Sequence, residues 1–212
     1  MSDVGISDWL CYLAAASTLL ASLVAMTKDN LKARLAYSTI SQLAYITLGA
    51  LLASESSVVG GGMHIVMHAV GKITLFFCAG AIYVGAHKKN ISDMRGLGRA
   101  MPLTFAAFLV ASISIIGLPP GGGSWSKWFL AVGCVEADQA WLMGALMISS
   151  LLNIAYLVPI PIRAFMTPKG ETPQKWHEAP MMCVVPLCIT AVGSVALMFF
   201  ADSIYHVLLQ IV

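Results

Sequence analysis

The sequence predicts an all-α integral membrane protein, built as a bundle of about six transmembrane helices of which the fourth is broken. Of its 212 residues, 58% are hydrophobic and only 10% are charged, and the mean hydropathy is +0.83. A chain so poor in charge cannot cover a soluble globule with polar surface. Its apolar residues gather in segments near the roughly 20 residues that cross a hydrocarbon core. We therefore expect residues 1–212 to form one transmembrane domain in the inner (plasma) membrane of the cell.

The six predicted spans are separated by connections that hold most of the charged residues. Each span has about the length of one membrane crossing, except the fourth, which is longer. The predicted spans are approximately Trp9–Met26, Leu35–Leu52, Met63–Ala86, Pro102–Val135, Ala140–Ile162 and Met181–Phe200.

The charges of the connections orient the predicted bundle. Ten of the twelve lysines and arginines lie in alternate connections, whereas the remaining connections carry acidic residues only. Basic residues stay on the cytoplasmic side of a bilayer, so we predict three cytoplasmic loops and both termini outside. The basic loop residues are Lys28, Lys32 and Arg34, then Lys88, Lys89, Arg95 and Arg99, and then Arg163, Lys169 and Lys175.

The fourth span, Pro102–Val135, is too long for one straight crossing. Its 34 residues would form a helix of roughly 51 Å at about 1.5 Å per residue, yet the loop charges allow one crossing only. Prolines remove backbone donors and glycines loosen the chain, so we predict a break at Pro119–Ser124. Broken helices of this kind mark ion sites in transporters. The residues that make the break are Pro119, Pro120, Gly121, Gly122 and Gly123.

Lys127 follows the break by three residues and lies next to Ser126. A lysine at membrane depth costs roughly 2.5–3.5 kcal/mol, and such a residue is a functional candidate by default. The alternative is a proline kink whose lysine extends to the membrane interface. The connection on that side carries no other basic residue, which favours a functional lysine.

The third span places His64, His68 and Lys72 at intervals of four residues. Because a helix turns once in about 3.6 residues, these side chains form one stripe over about 12 Å of depth. Histidine has an unperturbed pKa near 6.5, so such a column can pass protons with water between the donors. Ordinary packing of satisfied core histidines is the alternative. We discount a zinc site because no Asp, Glu or Cys stands on that face as a third ligand.

Polar residues recur at helical spacing on the second and fifth spans. Hydroxyls and amides commonly hold helices together in a bilayer, which is the structural interpretation of these residues. The functional alternative is that they bind the water molecules of a proton path. The candidate supporting residues are Tyr37, Ser41 and Gln42, with Ser38 and Tyr45 beside them, Ser126 near the break, and Asn153 with Ser149, Ser150 and Tyr156 on the fifth span.

Other function classes find no support in the sequence. A net charge of +2 is too small to indicate nucleic-acid binding. The five cysteines are scattered without a CxxC or His-paired spacing, so neither a disulfide framework nor a metal site is indicated. We find no catalytic or cofactor motif, and therefore expect a transport subunit and not an enzyme.

Four strings, in this order, resemble successive motifs of the antiporter-like proton-conducting membrane subunits. They are DNLKARLAYSTISQ at 29–42, HIVMHAVGK at 64–72, GLGRAMPLTFAAF at 96–108 and IGLPPGGGSWSKW at 116–128. Such subunits occur in Mrp-type cation/proton antiporters, respiratory complex I and membrane-bound hydrogenases. The last two strings are most similar to the D-type subunit of Mrp antiporters, and the resemblance covers roughly residues 5–165.

The resemblance implies a bundle of fourteen spans with two inverted five-helix repeats, each holding a broken helix with a lysine. Residues 1–165 resemble the second repeat, and residues 166–212 a loop and the final helix. On this basis Lys72 corresponds to the central lysine, His64 and His68 to its histidine neighbours, and Lys127 to the broken-helix lysine of the exit half-channel. The implied partners are the lipid bilayer, other membrane subunits, protons, and sodium or potassium.

Some features depart from the family pattern. Gly71 precedes the central lysine where the family often has an aromatic residue, and Ala44 replaces a usual glycine. The first repeat, with its glutamate–lysine pair, has no counterpart, and no carboxylate occurs inside a predicted span before Asp202. Sodium and potassium sites normally need carboxylate and carbonyl oxygens. The function expected first is a proton-translocating Mrp-type subunit; the alternatives are a complex I or hydrogenase subunit and a non-conducting structural fragment.

Overall fold

The computed structural model describes residues 6–166 and 176–210. Within these two ranges the chain is helical and forms no β-strand, which confirms the predicted all-α class. The helices are α1 (Ile6–Thr27), α2 (Leu31–Leu52), α3 (Glu55–Ala86), α4 (Leu97–Ala100), α5 (Pro102–Ile116), α6 (Gly123–Glu136), α7 (Ala140–Leu157), α8 (Pro159–Phe165), α9 (Met181–Phe199) and α10 (Ala201–Leu209), with a 3-10 turn at Ile91–Met94.

Five helical segments of the described chain are long and apolar enough to cross a membrane. They comprise α1 from Asp8, then α2, α3, α9 and the combined α7 and α8 (Ala140–Phe165). The fourth crossing is divided between α5, an apolar helix of 15 residues, and α6, which restarts at Gly123. The prediction of about six helices with a broken fourth is confirmed. The division at residue 165 stays a prediction.

α2 begins four residues before the predicted boundary at Leu35. Its first residue is Leu31, and the Asn30 side chain accepts a hydrogen bond from Ala33 N at 3.1 Å. Such a cap satisfies an N–H group that the first turn leaves without a helical partner. Because the added turn is polar, the length of the apolar segment could not show it.

α3 is the central helix, with 32 residues, and packs against α2, α5, α6, α9 and α10. It begins at Glu55, eight residues before the predicted Met63, behind a capping box formed by Ser54 and Ser57. In a capping box the two side chains bond reciprocally to backbone N–H groups. The longer helix brings its first two turns against α6.

Glycines allow α3 and α6 to approach closely. A Cβ atom at Gly133 would lie 2.5 Å from Ser57 N, and one at Gly60 would lie 2.7 Å from Leu130 N. Small residues are the usual means of bringing helix backbones together in a bilayer. This contact fixes the position of α6, and thereby of Lys127, relative to α3.

Gly133→Ala should therefore destabilise the bundle by about 1–3 kcal/mol, the usual cost of overpacking. The measurement is thermal unfolding of the purified chain in detergent. Gly144→Ala is the matched control, because a Cβ at Gly144 of α7 meets no atom within 4 Å. Equal melting temperatures for the two variants would show that the α3–α6 contact is not tight.

The break between α5 and α6 is built from glycines packed on the last turn of α5. Gly117 ends α5 with a φ of 91°, in the left-handed region that favours glycine. The chain then folds back so that a Cβ at Gly121 would lie 2.4 Å from Ser114 Cα, and one at Gly123 would lie 2.1 Å from Ser114 O. No side chain larger than hydrogen fits at either position.

Polar contacts join the connections at the two ends of α3. At its C-terminal end, Asp29 accepts hydrogen bonds from Ser92 N at 3.0 Å and Ser92 Oγ at 2.7 Å. At its N-terminal end, Glu136 accepts from Ser56 N at 3.2 Å and Ser56 Oγ at 2.6 Å. The first two basic loops thus lie together at one end, and two acidic connections lie together at the other.

Which end faces the cytoplasm stays a prediction, and single cysteines test it. A cysteine at Lys89 should react with an impermeant thiol reagent only from the cytoplasmic side, and one at Glu55 only from outside. Both positions are exposed. Labelling of position 89 from outside would overturn the orientation. Glu171, a third labelling position expected to face the cytoplasm, lies outside the described residues, as do Lys169 and Lys175.

Candidate functional site

α3 holds His64, His68 and Lys72 inside the bundle, one above another. Only 2%, 6% and 6% of their surfaces are exposed. The rings of His64 and His68 stack with centroids 5.7 Å apart and an interplanar angle of 21°. The stripe that the sequence indicates is therefore a buried polar column, which we call the histidine–lysine column.

His64 is held between α2 and α6. Its Nε2 lies 3.1 Å from Gln42 Oε1, and its Nδ1 lies 2.9 Å from Ser126 Oγ. The ring also stacks on that of Tyr45, with centroids 5.5 Å apart. The Ser126 hydroxyl lies 3.1 Å from a second acceptor, Gly123 O.

These contacts suit more than one protonation state of His64. A neutral imidazole has one donor and one acceptor nitrogen, whereas an imidazolium has two donors. When Nδ1 is bare, the Ser126 hydroxyl donates to it; when Nδ1 carries a proton, the hydroxyl turns to Gly123 O and accepts from the ring. His64 can thus gain or lose a proton without leaving a buried ring nitrogen unpaired.

His68 differs from its neighbour. Within the described chain neither of its ring nitrogens has a hydrogen-bond partner, although the residue is buried. One turn further along α3, Lys72 Nζ donates to Ser38 Oγ at 2.6 Å and to Leu35 O at 3.2 Å. Lys72 is therefore fixed against α2 by neutral oxygen atoms.

Lys127 points into the bundle, and not towards the end of the membrane. Its Nζ donates to Ile116 O at 2.9 Å and to Ser150 Oγ at 2.9 Å, and lies 4.9 Å from the centroid of the Tyr45 ring. Ile116 is the last residue of α5, so its carbonyl has no partner within the helix. The break therefore supplies an acceptor for the lysine that follows it.

Hydroxyl groups connect the surroundings of the two lysines. Ser22 of α1, Ser41 of α2 and Ser149 of α7 form a triangle with oxygen–oxygen distances of 2.8, 3.1 and 3.1 Å. All three serines are fully buried. The triangle joins three helices through side chains that each both donate and accept.

Two tyrosines extend this triangle to the lysines. The Tyr156 hydroxyl donates to Asn153 Oδ1 and lies near the hydroxyls of Ser38 and Ser22. The Tyr45 hydroxyl donates to Leu146 O at 2.8 Å, lies 3.3 Å from Ser150 Oγ and is near Ser149. A series of neighbouring hydroxyls, not all of them hydrogen-bonded to one another, therefore lies between the partner of Lys72 and the partner of Lys127. We call it the hydroxyl chain, and its members are Ser38, Tyr156, Ser22, Ser41, Ser149, Tyr45 and Ser150.

Two predicted supporting residues take different places. Asn153 is buried and its Oδ1 accepts a hydrogen bond from the Tyr156 hydroxyl, so it borders the hydroxyl chain. Tyr37 does not join either network: its ring lies under Lys28, whose Nζ is 5.4 Å from the ring centroid. Adjacent residues of a helix point in different directions, so Ser38 faces the inside of the bundle whereas Tyr37 is only partly buried.

Sequence reasoning missed Ser22 and the carbonyl groups of Leu35 and Ile116. Thr18 and Ser22 are four residues apart on α1 and both are fully buried, so this spacing was a signal that could have found Ser22. A carbonyl partner cannot be identified from residue type. Among the described residues, no three His, Cys, Asp or Glu side chains come close enough to hold a metal ion.

The chain matches a family model over residues 1–153, and the family is described as NADH:quinone oxidoreductase/Mrp antiporter, transmembrane. It is 33% identical over 213 residues to NADH-quinone oxidoreductase subunit N of Desulforudis audaxviator, covering 95% of this chain and 42% of that protein. It is 34% identical over 190 residues to NADH-quinone oxidoreductase subunit L of Mycobacterium tuberculosis, and this match covers 86% of this chain and 30% of that protein. The chain thus spans less than half the length of these relatives.

The fold is also similar to that of a solved structure. A chain of the Mrp complex from a Dietzia species superposes with a TM-score of 0.87 at 20% identity, covering 97% of this chain and 47% of that chain. The matched motifs, Lys72, Lys127 and the broken helix fall within the part that the family model covers. The chain therefore belongs to the antiporter-like membrane subunits of the NADH:quinone oxidoreductase/Mrp antiporter family.

Proposed function

We propose that this chain carries protons between Lys127 and Lys72 as one subunit of a larger ion-translocating membrane complex. The observation that carries the proposal is the pairing of the buried Lys72 amine and the part-buried Lys127 amine with neutral oxygen atoms. A lysine paired with a carboxylate is held in its charged form. Hydroxyls and carbonyls can find other donors, so these amines can release a proton, and a partner's carboxylate that comes within reach during the cycle would let them recover it.

The histidine–lysine column provides one route. Lys127 and His64 both contact the ring of Tyr45, and a proton can pass between them through bridging water. His64 receives it on one ring nitrogen as the Ser126 hydroxyl turns to Gly123 O. His68, stacked on His64, transfers it towards Lys72.

The hydroxyl chain provides a second route that avoids both histidines. Tyr45 and Tyr156 donate their protons outside the chain, to Leu146 O and to Asn153 Oδ1. A proton can therefore pass only when both tyrosines exchange these donations for donations to the neighbouring serines and every other member reverses its hydrogen bond. The end members, Ser38 and Ser150, are direct partners of Lys72 and Lys127. We therefore expect the two routes to operate in parallel.

His64→Gln should slow proton flux several-fold and change its dependence on pH, because it removes a group that can gain and lose a proton. Glutamine keeps a polar side chain in the site but does not titrate. Flux can be followed with a pH-sensitive dye in vesicles that contain the complex. His87→Gln is the control, because His87 is exposed at the end of α3. An unchanged rate and profile for His64→Gln would remove His64 from the route.

The complex that contains this chain has two candidate identities. The sequence motifs and the likeness to a chain of the Mrp complex favour a cation/proton antiporter. The relatives that are subunits N and L of NADH-quinone oxidoreductase favour a redox-driven complex equally. Identification of the chains that co-purify distinguishes them, since only a redox complex would bring flavin or iron–sulfur motifs.

We further propose that this chain supplies a proton path without a cation site. No Asp or Glu is among the buried residues of the described chain. Sodium and potassium are usually bound by carboxylate and carbonyl oxygens. A partner subunit would then provide an intramembrane carboxylate that faces Lys72.

A further inference from the structure

A cleft between α2 and α3 lies where both helices reach the basic loops. Its volume is about 330 Å³, within the roughly 300–1,000 Å³ typical of small-ligand sites. Lys32, Lys88 and Lys89 line it together with Asn30 and Tyr83, and Ala79 contributes an apolar part of its wall. The cleft is separate from both proposed proton routes.

The lysines of this cleft are held close together without a counter-charge. Lys32 Nζ lies 5.7 Å, and Lys89 Nζ 5.0 Å, from the centroid of the same ring, that of Tyr83. No acidic residue lines the cleft, and the nearby Asp29 carboxylate is occupied by Ser92. Like charges that converge in this way repel one another, and a bound anion relieves that repulsion.

The position of the cleft indicates which anion would fill it. α2 begins at Leu31 and α3 ends at Ala86, so the cleft opens at the boundary of the two spans. Tyr83 is 40% exposed, as is common for an aromatic ring at a membrane interface. The N-terminal end of α2 adds a positive dipole end. Basic pockets between transmembrane helices at this level suit lipid phosphate groups.

We propose that this cleft binds the phosphate headgroup of an anionic phospholipid from the leaflet that the basic loops face. The three lysines provide the charge, and Asn30 provides an amide at the rim. The acyl chains would lie along the lipid-facing surface beside the exposed ring of Tyr83. This inference does not depend on proton conduction.

The test compares two triple variants that lose the same charge on the same side of the bundle. One is Lys32→Gln, Lys88→Gln and Lys89→Gln; the control is Lys28→Gln, Arg95→Gln and Arg99→Gln, which lie outside the cleft. The full chain is placed in phosphatidylcholine nanodiscs and titrated with fluorescent phosphatidylglycerol. We expect the cleft variant to bind about tenfold more weakly or worse, and the control variant to stay within about twofold of the unmodified chain.

Every other outcome overturns the proposal. Equal weakening in both variants would mean a general surface-charge effect, and no weakening in either would mean that the cleft does not bind the lipid. If millimolar inorganic phosphate displaced the fluorescent lipid as strongly as unlabelled lipid does, the cleft would be a site for free phosphate. If the triple variant fails to fold, Lys89→Gln and Lys28→Gln form the same comparison with one charge each.

Discussion

Replacing Lys127 with alanine should abolish proton flux while the complex stays assembled. Alanine removes the titratable amine that follows the helix break and adds no buried charge. The substitution leaves Ile116 O and Ser150 Oγ without their lysine donor, and the Ser150 hydroxyl can bond to Tyr45 instead. The measurement is dye-detected pH change in vesicles, with assembly checked by native gel. Lys72→Ala should behave similarly.

The Lys127→Arg variant distinguishes a lysine that carries protons from a lysine that acts only as a fixed positive charge. Its guanidinium keeps the positive charge but cannot release a proton at any accessible pH, so Lys127→Arg should also abolish flux. Normal flux in this variant would make Lys127 an electrostatic element. Lys28→Ala is the matched control, because Lys28 likewise lies over a tyrosine ring but belongs to a basic loop.

Removing both proposed routes at once should reduce flux far more than removing either alone. His68→Gln interrupts the histidine–lysine column, and Tyr156→Phe removes one hydroxyl from the hydroxyl chain with its ring retained. Because the routes are parallel, each single variant should keep a substantial part of the flux. The double variant should approach the background of Lys127→Ala.

A double-mutant comparison of initial flux rates measures this coupling. Tyr205→Phe, combined with His68→Gln, is the control, since Tyr205 lies on α10 away from both routes. A His68→Gln, Tyr156→Phe rate equal to the product of the two single effects would argue against parallel routes. Complete loss in His68→Gln alone would leave the column as the single path.

The parts of the site that follow from helical periodicity and from turn chemistry could be predicted. The interval of four residues places His64, His68 and Lys72 on one face, and two prolines followed by three glycines at 119–123 together favour an interruption of the helix. The start of α3 could not be predicted from the apolar segment, since Ser54 and Ser57 add polar turns. Capping is a local effect that hydropathy does not measure.

The partners of the site residues depend on packing between distant helices, and sequence alone does not determine it. Ser126 meets His64 because the glycine contacts fix α6 against α3. Ser22 joins Ser41 and Ser149 because α1 packs against both α2 and α7. A residue-type pattern can suggest that hydroxyls are available. It cannot say which of them face one another across a bundle.

The proposal that this chain holds a proton path but no cation site has a consequence for the isolated protein. An amine buried without a counter-charge favours its neutral form, so Lys72 and Lys127 need an acid from a partner in order to cycle. The chain alone should then be inactive in cation exchange. The complete complex should move protons.

The most direct test measures the collapse of a pH gradient in proteoliposomes, with the native complex in one preparation and residues 1–212 alone in another. Sodium or potassium is added outside, and the dye signal is followed with time. We expect flux from the complex and no cation-dependent collapse from the chain alone. Robust exchange of sodium or potassium for protons by the chain alone would contradict the proposal, and would place a cation site on carbonyl groups of the Pro119–Ser124 break.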